Sequence, residues 1–285
     1  MSLLPQVMVA SVLLAAVYFV LSLGLNIIFG VLDIVNFAHG ALIILGSYVT
    51  LWIYDATGLS PWLLVIVDML VVGGIGGLLY AFYLRFTGSS PLVGMFALIG
   101  FSSVVSSALL AVAGSDFRTI ALDYGTVTIL GLPVRGSQLI AFGVAILLGA
   151  ATLLALNYTK VGKAVQAVVD DRVSVRLCGI NDRALSLLAF TVGAGLAGAA
   201  GGVISTYITF GPDSGLPFVI IAFAVVILGG LGDLVSGALA SLVVAVVLSC
   251  VTVYGSSALT NTALFLLVLV VLLVRPRGLL GRGRI

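Results

Sequence analysis

Ten aspartates, no glutamate and a single histidine, His39, are the whole acid–base repertoire of this 285-residue chain. That is too little for the usual catalytic sets. There is no Gly-x-Ser-x-Gly elbow, no Walker A loop and no His-Glu-x-x-His pair, and one histidine cannot complete a metal triad. The two cysteines, Cys178 and Cys250, fall in a hydrophilic loop and an apolar segment, so neither a disulfide nor a metal site is expected. The polar groups that remain suit solute passage and partner contact better than bond-making.

Two sets of them interrupt apolar runs. Asp33, Asn36 and His39-Gly40 break the first; Gly229-Gly230-Leu231-Gly232-Asp233 breaks a later one. Backbone that leaves the helix at membrane depth survives only where protein buries it or a wet cavity receives it. The candidate translocation residues are therefore Asn36, His39, Gly40, Gly229, Gly230 and Asp233. For His39 and Asn36 the alternative is a structural one, satisfying backbone groups at a helix break. Asp33 and Asp233 are expected to cap helix N-termini. Asp68, about 10 Å into a span at 1.5 Å per residue, is an intramembrane acid and so a functional candidate. Pairing with a helix terminus or snorkelling explains it equally well.

The elements that must hold these residues are membrane spans. Hydrophobic residues make up 62% of the chain, charged ones 8%, with a mean hydropathy of +1.35; soluble domains carry about 25% charge. A net charge of +2 is too small to suggest nucleic acid. Apolar runs near 6–29, 34–54, 62–83, 92–113, 138–157, 185–207, 216–231, 234–254 and 258–274 predict an all-α, polytopic transmembrane bundle. It has about eight spans with discontinuous or re-entrant segments, in one domain over 1–285. The first span reads as retained, not as a cleaved signal. Gly193, Ala197 and Gly201 share one helix face and Gly198 and Gly202 another, which predicts two close helix contacts.

Residues 158–184 are the one long hydrophilic stretch, with Lys160, Lys163, Arg172, Arg176 and Arg183. The basic excess places this loop, Arg85 and the Arg277 tail in the cytoplasm. It leaves 114–137 as an external loop, together with 55–61, 208–217 and the N-terminus. Within the loop, Gly162 to Val169 reads as a short helix. Asp171 caps a second over Arg172 to Cys178, Gly179 ends it, and Asn181 or Asp182 opens the next span. Val168, Val175 and Leu177 supply apolar surface. Asp170, Asp171, Arg172, Arg176, Leu177 and Gly179 are thus the candidate contact with a soluble partner; a basic anchor for anionic lipid is the alternative. Outside, residues 119–134 suggest a small hairpin turning at Tyr124-Gly125, with an ordered loop as the equal alternative.

The run Asn36-Phe-Ala-His-Gly40, the loop from Gly162-Lys-Ala to Arg176-Leu-Cys-Gly-Ile-Asn181, Gly198 to Gly201, Leu228-Gly-Gly-Leu-Gly232 with Gly237-Ala, and Arg275-Pro-Arg-Gly-Leu-Leu-Gly281 resemble one family. It is the shorter permease subunit of bacterial branched-chain amino acid ABC transporters, matched from about residue 24 to the tail. The resemblance implies a heterodimer with a longer homologous permease, two cytosolic ATPases and an extracytoplasmic solute-binding protein, in the bacterial inner membrane. ATP and Mg would be used by the partners, with no cofactor on this chain. Related subunits serve urea and short-chain amides. Where the family carries an acid followed by proline, this loop has Asp170-Asp171-Arg172. The competing class is an ion-coupled transporter or channel using Asp68 or Asp33.

Overall fold

The computed structural model describes residues 3–82, 84–86, 91–129, 131–230 and 233–275. The tail carrying Arg277, the turn at 88–90 and Leu231-Gly232 lie outside the described residues. Among the described residues eleven α-helices run in order as α1 Leu3–Leu32, α2 His39–Thr57, α3 Pro61–Phe82, α4 Pro91–Ala113, α5 Gly136–Tyr158, α6 Lys160–Asp170, α7 Arg172–Leu177, α8 Asp182–Ser205, α9 Gly215–Gly229, α10 Leu234–Tyr254 and α11 Thr260–Val274. Seven are long and apolar enough to cross a membrane. The other two apolar helices, α9 and α11, have 15 residues each, about 22 Å against a hydrocarbon core of ~30 Å. The chain is a polytopic helical bundle.

Helix α8 is the pivot, with α1, α2 and α3 all packed on it. Small residues set the spacing. A Cβ on Gly193 would lie 2.7 Å from the Gly24 carbonyl oxygen of α1, and one on Gly201 would run into the Ile43 carbonyl of α2. On the other face a Cβ on Gly198 would lie 2.7 Å from the Asp68 carbonyl oxygen of α3, and one on Gly202 would strike the Asp68 carboxylate. Ala197 is fully buried between them. The two expected faces therefore make three helix contacts, because Gly193 and Gly201 meet different partners two turns apart. Ser47 of α2 adds a hydrogen bond to the Gly201 carbonyl at 2.9 Å.

Three expectations change. The hairpin exists, as β1 Thr126–Ile129 paired antiparallel with β2 Leu132–Arg135, but its strands connect by way of Gly131 and not through Tyr124-Gly125. Gly131 supplies the left-handed φ of +80°, while Gly125 closes the open end by accepting the Gly136 N–H at 2.9 Å. Asp33 caps no N-terminus. Helix α1 continues to Leu32, so Asp33 follows its C-terminus at φ +56° and donates its N–H to Phe29.

The third concerns residues 208–217, expected as an outer loop. After α8 the chain pairs Phe210 with Arg118 in both directions, at 2.8 and 2.9 Å. The Phe210 ring then packs edge-on against Tyr48 at 5.2 Å. From there the chain dives into the bundle until Gly215 meets Gly40. Phe210, Gly211 and Pro212 are buried on the way while Thr209, Asp213 and Leu216 stay exposed, so the stretch is partly packed into the bundle.

Candidate translocation and coupling sites

The first break places its residues well inside the bundle. His39 Nε2 is 2.8 Å from the Leu21 carbonyl oxygen, and Leu21 sits eleven residues, about 16 Å, before the end of α1. The chain thus returns along α1 from residue 33 and restarts as a helix at half depth. Gly24 makes the room, since a Cβ there would lie 3.1 Å from His39 Cε1. Asn36 Oδ1 accepts the Ala38 N–H at 3.1 Å and is the Asx-type support of the α2 start. Asn36, His39 and Gly40 are fully or nearly fully buried. Gly40 packs backbone to backbone on Gly215, so two helix N-termini, of α2 and α9, meet here. Positive helix ends in a membrane interior suit a partial negative charge.

The second break lies elsewhere. Gly229 packs on Gly237, where a Cβ would stand 2.8 Å from the Gly237 Cα, and Gly230 takes φ +96°. Asp233 caps α10, accepting N–H groups of Val235 at 3.0 Å and Ser236 at 3.1 Å, with the Ser236 hydroxyl at 2.5 Å. Its cap role matches expectation. A cleft of about 380 Å³ joins Asp233 to Asn26 on α1 and to Gln166 and Asp170 on α6. The six candidate pathway residues therefore form two clusters, one at half depth and one beside the loop helices. Asn36 and Gly40 border clefts other than the one that Asp233 borders.

The loop folds as read, with α6 starting two residues earlier than expected because Thr159 caps it through the Gly162 N–H at 2.9 Å. Asp171 Oδ1 accepts from Val173 and Ser174 N–H at 2.9 and 3.3 Å, and its other oxygen takes the Ser174 hydroxyl at 2.5 Å. These bonds, the Ser174 hydroxyl first, hold its carboxyl below the usual carboxylate range. Gly179 ends α7 at φ +76°, and Asn181 caps α8.

Both arginines are tied to neighbouring helices, although Arg176 stays exposed. Arg176 donates Nε and Nη2 to Asp182 Oδ2 at 2.9 and 2.6 Å, and Arg172 donates to the Val31 carbonyl at the end of α1. Arg176 therefore also lowers the Asp182 pKa. Val168 and Val175, expected as outward apolar surface, are buried against the bundle. The apolar surface α7 offers is Val173 and Leu177, four residues apart on one face and 65% and 84% exposed, with Ser174 and Arg176 exposed beside them.

Asp68 is fully buried at the junction of α2, α3 and α8 and accepts the Thr50 hydroxyl at 2.5 Å. It neither caps a helix nor snorkels. Sequence reasoning missed Asp213 and four serines of α4, Ser102, Ser103, Ser106 and Ser107, which share a cleft of about 360 Å³ with Gly40 and Gly215. Paired serines repeating at four-residue spacing in an apolar span were the available signal.

Residues 7–274, from α1 through α11, match the permease component of the branched-chain amino acid transport system. The chain belongs to that permease family. This permease is 28% identical to the high-affinity branched-chain amino acid transport system permease protein LivH of Salmonella typhimurium, over 98% of this chain and 96% of the relative. It is 26% identical to BraD of Pseudomonas aeruginosa, a permease protein of the same description, with the same coverage. It is also 26% identical to the permease protein LivM of Escherichia coli, over 95% of this chain and 69% of that longer relative. No solved structure matches. The permease is thus a multi-pass membrane transport protein, and every break and loop described above falls inside the matched range.

Proposed function

We propose that this permease is the transmembrane subunit of an ABC importer for branched-chain or other hydrophobic amino acids. It works beside a longer homologous permease, two cytosolic ATPases that use ATP and Mg, and an extracytoplasmic binding protein. The chain itself carries no ATPase site in this reading, and it resides in the bacterial inner membrane with α6 and α7 in the cytoplasm. The observation that carries the coupling is the doubly anchored α7. One end is tied to α1 through Arg172 and Val31, the other to α8 through Arg176 and Asp182. Those same two helices seat the first break, α1 through Leu21 and His39, α8 through Gly193 against Gly24.

A partner ATPase that grips Val173 and Leu177 would therefore displace α1 against α8, and the His39–Gly40 joint lies between them. Buried packed joints respond to such displacement by switching between discrete arrangements. The cleft between Asp233 and Asp170 sits beside α6 and would open or close in the same movement. The ion-coupled reading is weaker, because Asp68 is sealed in a three-helix contact and Asp33 is exposed beyond the end of α1.

Cysteines at Asn36, His39, Gly229 and Asp233 test the path. In the assembled transporter, hydrophilic thiol reagents should reach positions 36 and 39 in only one of the nucleotide-free and ATP-trapped states. Equal protection in both states at all four positions would make the breaks static joints.

A further inference from the structure

The start of α2 separates two unlike cavities. On one side is the cleft of about 360 Å³ with the four α4 serines and Asp213. On the other a pocket of about 230 Å³ has aliphatic and aromatic walls, including Leu25, Val35, Phe223 and Ile227, and a single polar residue, Asn36. Phe37, Leu216 and Val219 belong to both. Phe37 is 36% exposed and stands between the two spaces.

Each side holds an unanswered polar group. Asp213 lies two residues before Gly215, which is packed on Gly40 inside the bundle, and its carboxylate is exposed to the cleft. Among the described residues no cationic side chain pairs with it. An exposed carboxylate at the wall of a cleft attracts a cation into it. Across the divide, Asn36 is fully buried and spends Oδ1 on the Ala38 N–H, leaving Nδ2 with no partner. Native structures rarely leave a buried donor unanswered unless a ligand or water answers it.

We infer that the two compartments form one transit subsite for a zwitterionic amino acid with an aliphatic side chain. Asp213 and the serine hydroxyls take the ammonium, Asn36 Nδ2 donates to the carboxylate, and the apolar pocket takes the side chain. The positive ends of α2 and α9 at Gly40 and Gly215 favour the carboxylate at the divide. Urea or a short neutral amide would leave Asp213 without a counter-charge and the apolar walls without a partner. The assignment rests on the amino-acid permease reading and names the residues that would discriminate within it.

The test uses the transporter assembled with its partner subunits in proteoliposomes, in a Cys178→Ser, Cys250→Ser background. Single cysteines at Ser103 and Ser106 are reacted with a cationic and an anionic methanethiosulfonate. The cationic reagent should react faster, and Asp213→Asn should lower the cation-to-anion rate ratio at least about tenfold, the scale on which a charged cleft concentrates counter-ions. Asp213→Glu should keep the preference. An unchanged ratio, or thiols unreactive in both nucleotide states, would overturn the subsite. In parallel, Asp213→Asn and Asn36→Leu should each raise the KM for leucine uptake at least tenfold. If uptake in both variants equals wild type, the subsite falls while the amino-acid reading stands. If wild type imports no leucine yet the ratio shift holds, the amino-acid reading falls and the anionic, cation-attracting cleft stands.

Discussion

Replacing Leu177 with serine separates docking from folding. The side chain is 84% exposed and makes no fold-stabilising contact that its loss would remove. If α7 docks into an ATPase cleft, burying a leucine there is worth about 2 kcal/mol, so Leu177→Ser should weaken ATPase association about 30-fold. The assay is retention of the ATPase on the purified permease pair over a titration of partner concentration, with thermal unfolding of the free permease as control. Midpoint stability should not move. Val175→Ser should behave oppositely: Val175 is 5% exposed, so its loss loosens the α7 anchorage and shifts unfolding, with a smaller effect on the partner affinity of molecules still folded. Unaltered affinity in a Val173→Ser, Leu177→Ser double variant would refute docking through this face.

Helix spacing gives a second expectation. Gly201→Val should destabilise by about 1–3 kcal/mol or more through overpacking, because its side chain meets the Ile43 carbonyl and the Ser47 N–H. Gly74→Ala, with nothing within 4 Å, should leave the detergent unfolding midpoint in place. The Asp182–Arg176 pair gives a pH dependence. Because the Arg176 hydrogen bonds hold the Asp182 carboxyl below the ordinary carboxylate range, the pair's contribution is fully present above about pH 4 and is lost as pH falls through the lower folded value. Hydrogen exchange at α7 should therefore rise on acidification below about pH 4, and Asp182→Asn should show that fast exchange already at neutral pH. Cys178, exposed beyond α7, reports topology. An impermeant maleimide should label it in inside-out vesicles and not in intact cells, and labelling from outside would invert the proposed orientation.

What the amino-acid order decided by itself is local. Apolar run lengths announce the membrane helices, since a span is defined by its own hydropathy. The Asp171-x-x-Ser174 and Asp233-x-x-Ser236 caps were legible for the same reason, because a cap bonds only to N–H groups two and three residues on. The glycine faces of α8 could be seen as contact faces, but not which helix each meets. Partner choice was written in the tertiary structure alone. So were the return of residues 206–214 to set Gly215 against Gly40, and the ties of Arg172 to α1 and of Arg176 to Asp182. A charged loop residue reads as exposed until the carbonyl end of α1 and the carboxylate of Asp182 are seen beside it. Asp213 and the α4 serines gained meaning only when three segments distant in sequence closed around one cleft. Contacts between segments far apart in the chain depend on how the whole bundle packs, and no local pattern encodes them.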